Sequence, residues 1–205
     1  MQGTVQDTIM KKAEATRLNI LQKAFELIYE KGYQTTSIDD ILATTKVTKG
    51  AFYYHFRNKD QMGLAIIGEL LGPSFEANFI RPLKADGDTL TLIYNMMHEI
   101  LMENEYLRVE YGCPAANFTQ EMAPWNADFT FALNQLSASW KDAIVARLER
   151  GKASGDVARE VNSEEVAIFM MSGYWGIRNM AKLTNSRSTY LTYLQQLKAY
   201  LEGLR

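Results

Sequence analysis

The stretch Val47-Thr48-Lys49-Gly50-Ala51-Phe52-Tyr53-Tyr54-His55-Phe56 puts two kinds of side chain on one short helix. Phe52 and Phe56 stand four apart, so they share a face and turn toward a core, and Thr48 offers the hydroxyl that caps the helix start. The outward face carries Thr48, Lys49 and Tyr53, flanked by Tyr54 and His55, and Gly50 allows close approach. Tyrosines beside a lysine on a short polar helix have little packing reason to be there. Hydroxyl, ammonium and phenol groups projecting from the N-terminal half of a helix suit phosphates and base edges in a major groove.

Upstream, Ile20, Leu21, Ala24, Phe25 and Ile28 follow one helical face over about Ala13 to Lys31, and Gly32 provides a left-handed stop. Thr35, Thr36 and Ser37 offer caps before Ile38, Ile41 and Leu42, with Asp39 and Asp40 in the positive first turn, which predicts a second helix from Ser37 to Ala43. Thr44 to Val47 interrupts the pattern. Downstream, Asn58 caps a helix from Lys59 to about Ile80, in which Gly72-Pro73 predicts a kink or local break. Further helices are expected over Thr89–Asn104, from Trp125 to about Ala153, from a Ser163 cap to about Leu183, and over Arg187–Leu204. Apolar residues recur at three- and four-residue spacing and alternating β-branched runs are missing, so the chain reads as all-α. It divides into an N-terminal three-helix helix-turn-helix over residues 1–60 and a C-terminal helical domain over residues 61–205.

Taken in order, Thr36-Ser37-Ile38, the stretch 47–56 and Asn58-Lys59 closely resemble the helix-turn-helix signature of TetR-family repressors. The resemblance implies that Thr36 and Ser37 cap the second helix and touch phosphate. It places Thr48, Lys49, Gly50 and Tyr53 at the base-reading end of the third helix, with Tyr54, His55 and Lys59 holding the DNA backbone. Two positions depart from the family pattern: Lys46 stands where the turn usually has glycine, and Leu42 where the second helix usually has alanine. A lysine in a left-handed turn costs roughly 1 kcal/mol relative to glycine.

The same resemblance implies a homodimer on a near-palindromic double-stranded operator, a helix from Lys59 that acts as a lever, and a C-terminal cavity for a small organic effector. Dimerisation would use the last two helices, whose apolar positions include Val166, Phe169, Tyr174 and Ile177, then Tyr190, Leu191, Leu194, Leu197 and Leu201. Tyr111-Gly112-Cys113-Pro114-Ala115-Ala116-Asn117-Phe118 resembles a glycine-cysteine segment found in a subset of TetR-type repressors, where it borders the effector cavity. Candidate effector contacts are Met97, Tyr111, Cys113, Asn117, Phe118, Met122, Trp140, Met170 and Tyr174; methionine and aromatic residues at helical spacing serve equally as core. Cys113 has two readings. A thiol at a helix N-terminus would have a lowered pKa and could sense electrophiles or oxidants, or Cys113 is a small packing residue.

The whole chain limits the remaining classes. Its 205 residues carry a formal charge of -2, which excludes a globally basic coat but not a local positive surface. A single cysteine makes no intrachain disulfide or thiol zinc site and points to a reducing compartment. Met1 to Met10 lacks the apolar core of a secretory signal and no stretch approaches the ~20 apolar residues of a membrane span, so a soluble cytoplasmic protein is expected. Two histidines, His55 and His98, with no phosphate-binding glycine loop and no metal-ligand spacing, argue against an enzyme; no metal and no cofactor are expected. A purely structural helical module would leave the Thr48–Lys59 surface unexplained. Repression and activation are not separable on these residues.

Overall fold

Helix starts are set by short polar side chains that reach back to free amides. Ser37 accepts from the Asp40 amide while Asp40 returns a bond to the Ser37 amide, Thr48 accepts from Ala51, Asn58 from Gln61, and Asp88 from Thr91. In the computed structural model, the backbone is described over residues 2–205 and the side chains from residue 10 onward. The reading of the first ten residues as lacking a secretory signal falls, apart from Met10, outside the described side chains. All regular structure among the described residues is helical, as the hydrophobic spacing predicts.

The helices are α1 (Gln2–Lys31), α2 (Ile38–Thr44), α3 (Lys49–His55), α4 (Lys59–Ile66), α5 (Gly72–Phe75), α6 (Thr89–His98), α7 (Pro114–Met122), α8 (Ala127–Ser154), α9 (Ser163–Thr184) and α10 (Ser188–Glu202). Helix α1 starts well before Ala13, because amphipathic spacing detects the buried face and Met10, Lys11 and Lys12 just ahead of it are exposed. Around Gly72-Pro73 the expected kink takes the form of wider turns. The stretches Ile67–Leu71 and Glu76–Ile80 on either side of α5 are π-helical, and Arg81–Lys84 closes the run as a 3₁₀ turn. Pro73 has no N–H to give the carbonyl four residues back and its ring crowds that carbonyl, so the register widens locally. A third π stretch, Glu99–Glu103, extends α6. Asn162, not Ser163, caps α9, accepting from the Glu164 and Glu165 amides; Ser163 is buried and donates to Glu149. Helix α9 ends at Asn185, whose φ of 47° makes it the left-handed cap. Lys46 does not have a positive φ, so the cost expected for lysine in a left-handed turn does not arise.

The chain forms two compact units. One consists of the segment through Leu71 together with Asn117–Ala132; the other consists of Gly72–Ala116 and Leu133–Arg205. In the first, Ile20, Leu21, Ala24 and Ile28 of α1 close over Ile41, Phe52, Phe56, Met62 and Ile66, all buried. Arg17 lies over the Phe56 ring at 5.0 Å and forms a two-point pair with Glu69. In the second, α10 packs on α6 and α9, and Phe75, Phe79, Trp140 and Tyr174 form an aromatic cluster.

Candidate nucleic-acid interface

The face of α3 that the spacing of Phe52 and Phe56 turns outward is solvent-exposed. Phe52 and Phe56 are buried with ring centroids 5.7 Å apart, whereas Tyr53 is 46 % and Tyr54 78 % exposed. Thr48, Lys49 and Gly50 are exposed at the helix start. Lys49 Nζ is 3.1 Å from Asp39 Oδ1, and this carboxylate holds the ammonium pKa above its ordinary value. Both partners are in solvent, so the pair is weak and Lys49 can exchange Asp39 for an acceptor on DNA. Tyr53 stands T-shaped to Phe52 at 5.4 Å and Tyr54 T-shaped to His55 at 5.0 Å, and both tyrosines keep much of their surface in solvent.

The flanking candidates differ in availability. Ser37 is exposed, and its hydroxyl caps α2 and bonds Asp40 at 2.5 Å. Thr36 is 1 % exposed and donates to the Gly32 carbonyl at 2.7 Å, which corrects the expectation that its hydroxyl caps α2 and meets phosphate. Lys59 lies 4.3 Å above the Tyr33 ring, and burial lowers its pKa against the pull of Asp60, Glu121 and Asp40. A phosphate would have to draw it off that ring. His55 is half-buried, and burial with the charge of Arg17 lowers its pKa, so the imidazole is neutral in the free protein at pH 7.

Gly50 gives a separate test of the face. A Cβ added there meets nothing within 4 Å, and its φ is not positive, so neither packing nor backbone strain in the free protein requires glycine. Gly50→Ala is therefore expected to raise stability by up to about 1 kcal/mol in thermal melts while weakening DNA binding several-fold. Unchanged DNA affinity would mean that no surface approaches α3 closely at this point.

Residues 20–66 match the model of the bacterial regulatory proteins of the tetR family, and residues 90–197 match that of the tetracyclin repressor-like C-terminal domain. The chain belongs to the TetR family. It is 29 % identical over 178 residues to the transcriptional regulator AcuR of Cereibacter sphaeroides, which covers 83 % of this chain and 78 % of AcuR. It is 23 % identical over 171 residues to the HTH-type transcriptional repressor DhaR of Mycobacterium sp. strain GP1, covering 83 % of this chain and 84 % of DhaR. A crystal structure of a TetR-family transcriptional regulator from Cytophaga hutchinsonii superposes with a TM-score of 0.82 at 21 % identity, covering 95 % of this chain and 96 % of the other, and shares the fold. Members of the TetR family are transcriptional regulators and not enzymes; they bind DNA operators and small-molecule effectors and act as dimers.

The residues singled out as effector contacts in this TetR-family chain are divided between the two units. Met97, Cys113, Trp140, Met170 and Tyr174 are buried in the second unit and Tyr111 is half-buried there, with Arg108 5.7 Å from its ring centre. Asn117, Phe118 and Met122 belong to the first unit, where Phe118 lies 5.5 Å from the Tyr33 ring and the Met122 sulfur accepts from Gln34 at 3.2 Å. Burial pushes the Cys113 thiol up, against the amides of Ala116 and Ala115, the charge of Arg178 and a bond with Tyr174. The lowered pKa expected for a thiol at a helix start is overturned by desolvation.

The sequence reading missed Arg178. It is fully buried and donates to the carbonyls of Leu107 at 3.2 Å, Arg108 at 3.0 Å and Gly112, and to the Tyr190 hydroxyl at 2.8 Å, fastening the segment that leads into Cys113. Among the described residues no group of three His, Cys, Asp or Glu side chains is placed to hold a metal ion, and no helix is long and apolar enough to cross a membrane.

Proposed function

We propose that this chain is a cytoplasmic, ligand-responsive transcriptional repressor that binds a near-palindromic operator as a homodimer and leaves it when a small organic effector binds. The exposed Thr48–Lys49–Gly50–Tyr53 face carries the reading: donors of three chemistries project from a capped helix start whose opposite face is sealed by Phe52 and Phe56. Thr48, Lys49, Gly50 and Tyr53 read base edges, and Ser37, Tyr54, His55 and Lys59 hold phosphates. The word repressor in the name of DhaR supports repression as the direction of control.

Pairing is supported by apolar side chains left in solvent on α9 and α10. Ile168, Phe169, Met180 and Leu191 are exposed, and Leu183 is 87 % exposed. A second copy presenting the same two helices would cover them in a four-helix bundle, and a two-fold interface is self-complementary. The pair then sets its α3 helices in successive major grooves roughly 34 Å apart.

The effector reading is supported by the aromatic cluster of the second unit. Trp140 is fully buried, and its indole N–H has no hydrogen-bond partner among the described residues, so an apolar or aromatic molecule carrying an acceptor suits it. The likeness of Tyr111-Gly112-Cys113-Pro114 to the glycine-cysteine segment of a subset of TetR-type repressors supports an effector cavity bordered by this segment. An effector coupling of ~1–3 kcal/mol would shift operator affinity five- to 150-fold, carried by the Lys59–Ile80 lever.

The test is a titration of the purified protein against duplex DNA flanking its own gene. Two chains should bind each site, and affinity should fall steeply as salt rises, because Lys49, Lys59 and their partner copies displace counterions. Absence of binding at low salt would end the reading. A pH series tests His55 separately. Its depressed pKa means the unfolded chain takes up the proton first, so stability falls as pH drops below the ordinary histidine value of about 6.5. A phosphate beside the ring would raise that pKa in the complex, so operator affinity is expected to strengthen from about pH 7.5 to about pH 5.5, and His55→Gln should flatten the response.

A further inference from the structure

The turn between α1 and α2 is held by a residue far away in the chain. The Glu121 carboxylate accepts from the Tyr33 amide at 3.1 Å through one oxygen and from the Gln34 amide at 2.7 Å through the other. Gly32 makes room for it: its φ is +97°, and a Cβ there would stand 3.1 and 3.2 Å from the two Glu121 oxygens. The turn passes its position onward, because Thr36 donates to the Gly32 carbonyl and Ser37 immediately follows as the cap of α2.

Around this latch the segment Asn117–Ala132 is packed into the same unit as α1–α4. Phe118 and Phe129 pack at a tilt against Tyr33, with ring centroids 5.5 and 5.2 Å away, and Gly63 makes the approach possible, since a Cβ there would lie 2.7 Å from Phe129 and 2.8 Å from Tyr33. Tyr33 donates to one oxygen of Asp60 at 2.6 Å and Asn126 to the other at 3.1 Å. Phe118, Phe129 and Asn126 meet side chains of the motif, whereas Glu121 grips the backbone that enters it.

We propose that Glu121 is a positioning residue for operator binding, fixing the α1–α2 turn and thereby the placement of α2 and α3. Resting on the effector-responsive reading above, Glu121 is also a route of control separate from the Lys59–Ile80 lever. Helix α7 runs from Pro114 in the second unit to Met122 in the first. A ligand-linked shift of α7 along its axis would draw the carboxylate from the two amides and loosen the motif directly. Charge-assisted bonds to backbone amides are stronger than neutral ones, so losing one carries a measurable effect.

Glu121→Gln in the full-length protein tests this. The amide keeps the side chain's shape but turns an NH2 toward one of the two backbone donors. Amide hydrogen exchange over residues 33–55 should rise about tenfold while exchange over Ser163–Glu202 stays at the wild-type level, and affinity for DNA flanking its own gene should fall about tenfold. Dimer mass and thermal midpoint should change little, which separates positioning from general destabilisation. Unchanged exchange over residues 33–55, or a rise spread evenly along the chain, overturns the proposal. Should the wild-type protein bind none of that DNA, the operator reading fails, while hydrogen exchange still decides the latch. Should Glu121→Gln not fold, Glu121→Asp, one methylene short of the turn, is judged by the same measurements.

Discussion

Tyr53→Ala is expected to weaken operator binding about 100-fold or more while leaving dimerisation and thermal stability nearly intact. Tyr53 is 46 % exposed and its ring stands T-shaped to Phe52 from outside the core, so truncation opens no cavity between Phe52 and Phe56. In the complex the same ring would be centrally buried against DNA, where loss of a tyrosine anchor costs about 2–3 kcal/mol or more. Each 1.4 kcal/mol is a factor of ten in affinity. Fluorescence anisotropy at fixed salt measures the loss, and circular dichroism melts check the fold. A loss of folding equal to the loss of binding would show Tyr53 to be core. Tyr53→Phe separates the ring from its hydroxyl: retained affinity means that apolar contact does the reading.

Arg178→Met is expected to be the most destabilising single change in the second unit. The methionine matches much of the side-chain volume but supplies no donor, so the Leu107, Arg108 and Gly112 carbonyls and the Tyr190 hydroxyl lose the guanidinium that gathers them. The bonds to Gly112 and Tyr190 are the buried ones, and at about 1–3 kcal/mol for each buried group left without a partner the loss comes to about 2–6 kcal/mol. Arg178→Lys should recover only part of this, because one ammonium cannot reach four acceptors arranged around a planar fork. Urea unfolding at a fixed protein concentration measures it, since the stability of a dimer depends on concentration. A loss below about 1 kcal/mol would mean that the 107–112 segment finds other donors.

Local chemistry made most of the fold legible. Ser37, Thr48 and Asn58 sit directly before apolar spacing begins, and each caps the helix it precedes. Capping chemistry is ambiguous where two suitable residues adjoin, as at Asn162-Ser163, where Asn162 is the cap and not the expected Ser163, and where a hydroxyl faces inward, as with Thr36. The apolar pattern identified Phe118 and Met122 as buried residues but could not say in which core, because periodicity marks a face and not its neighbour. Glu121 was invisible for a related reason: an acidic residue late in a helix looks like solvent surface, and its partner amide is 88 positions away. Arg178 did leave a signal, since it continues the Met170–Tyr174 stripe of α9 at four-residue spacing, where a charge on a buried face must find many acceptors.

Hydroxyl-radical footprinting of the wild-type protein on DNA flanking its own gene addresses the paired reading heads most directly. Two protected half-sites on one side of the duplex, centred about one helical turn or a whole multiple of it apart and both lost with Tyr53→Ala, are the expected result. A single unpaired half-site, or a footprint that survives Tyr53→Ala unchanged, would contradict the placement of α3 in the groove.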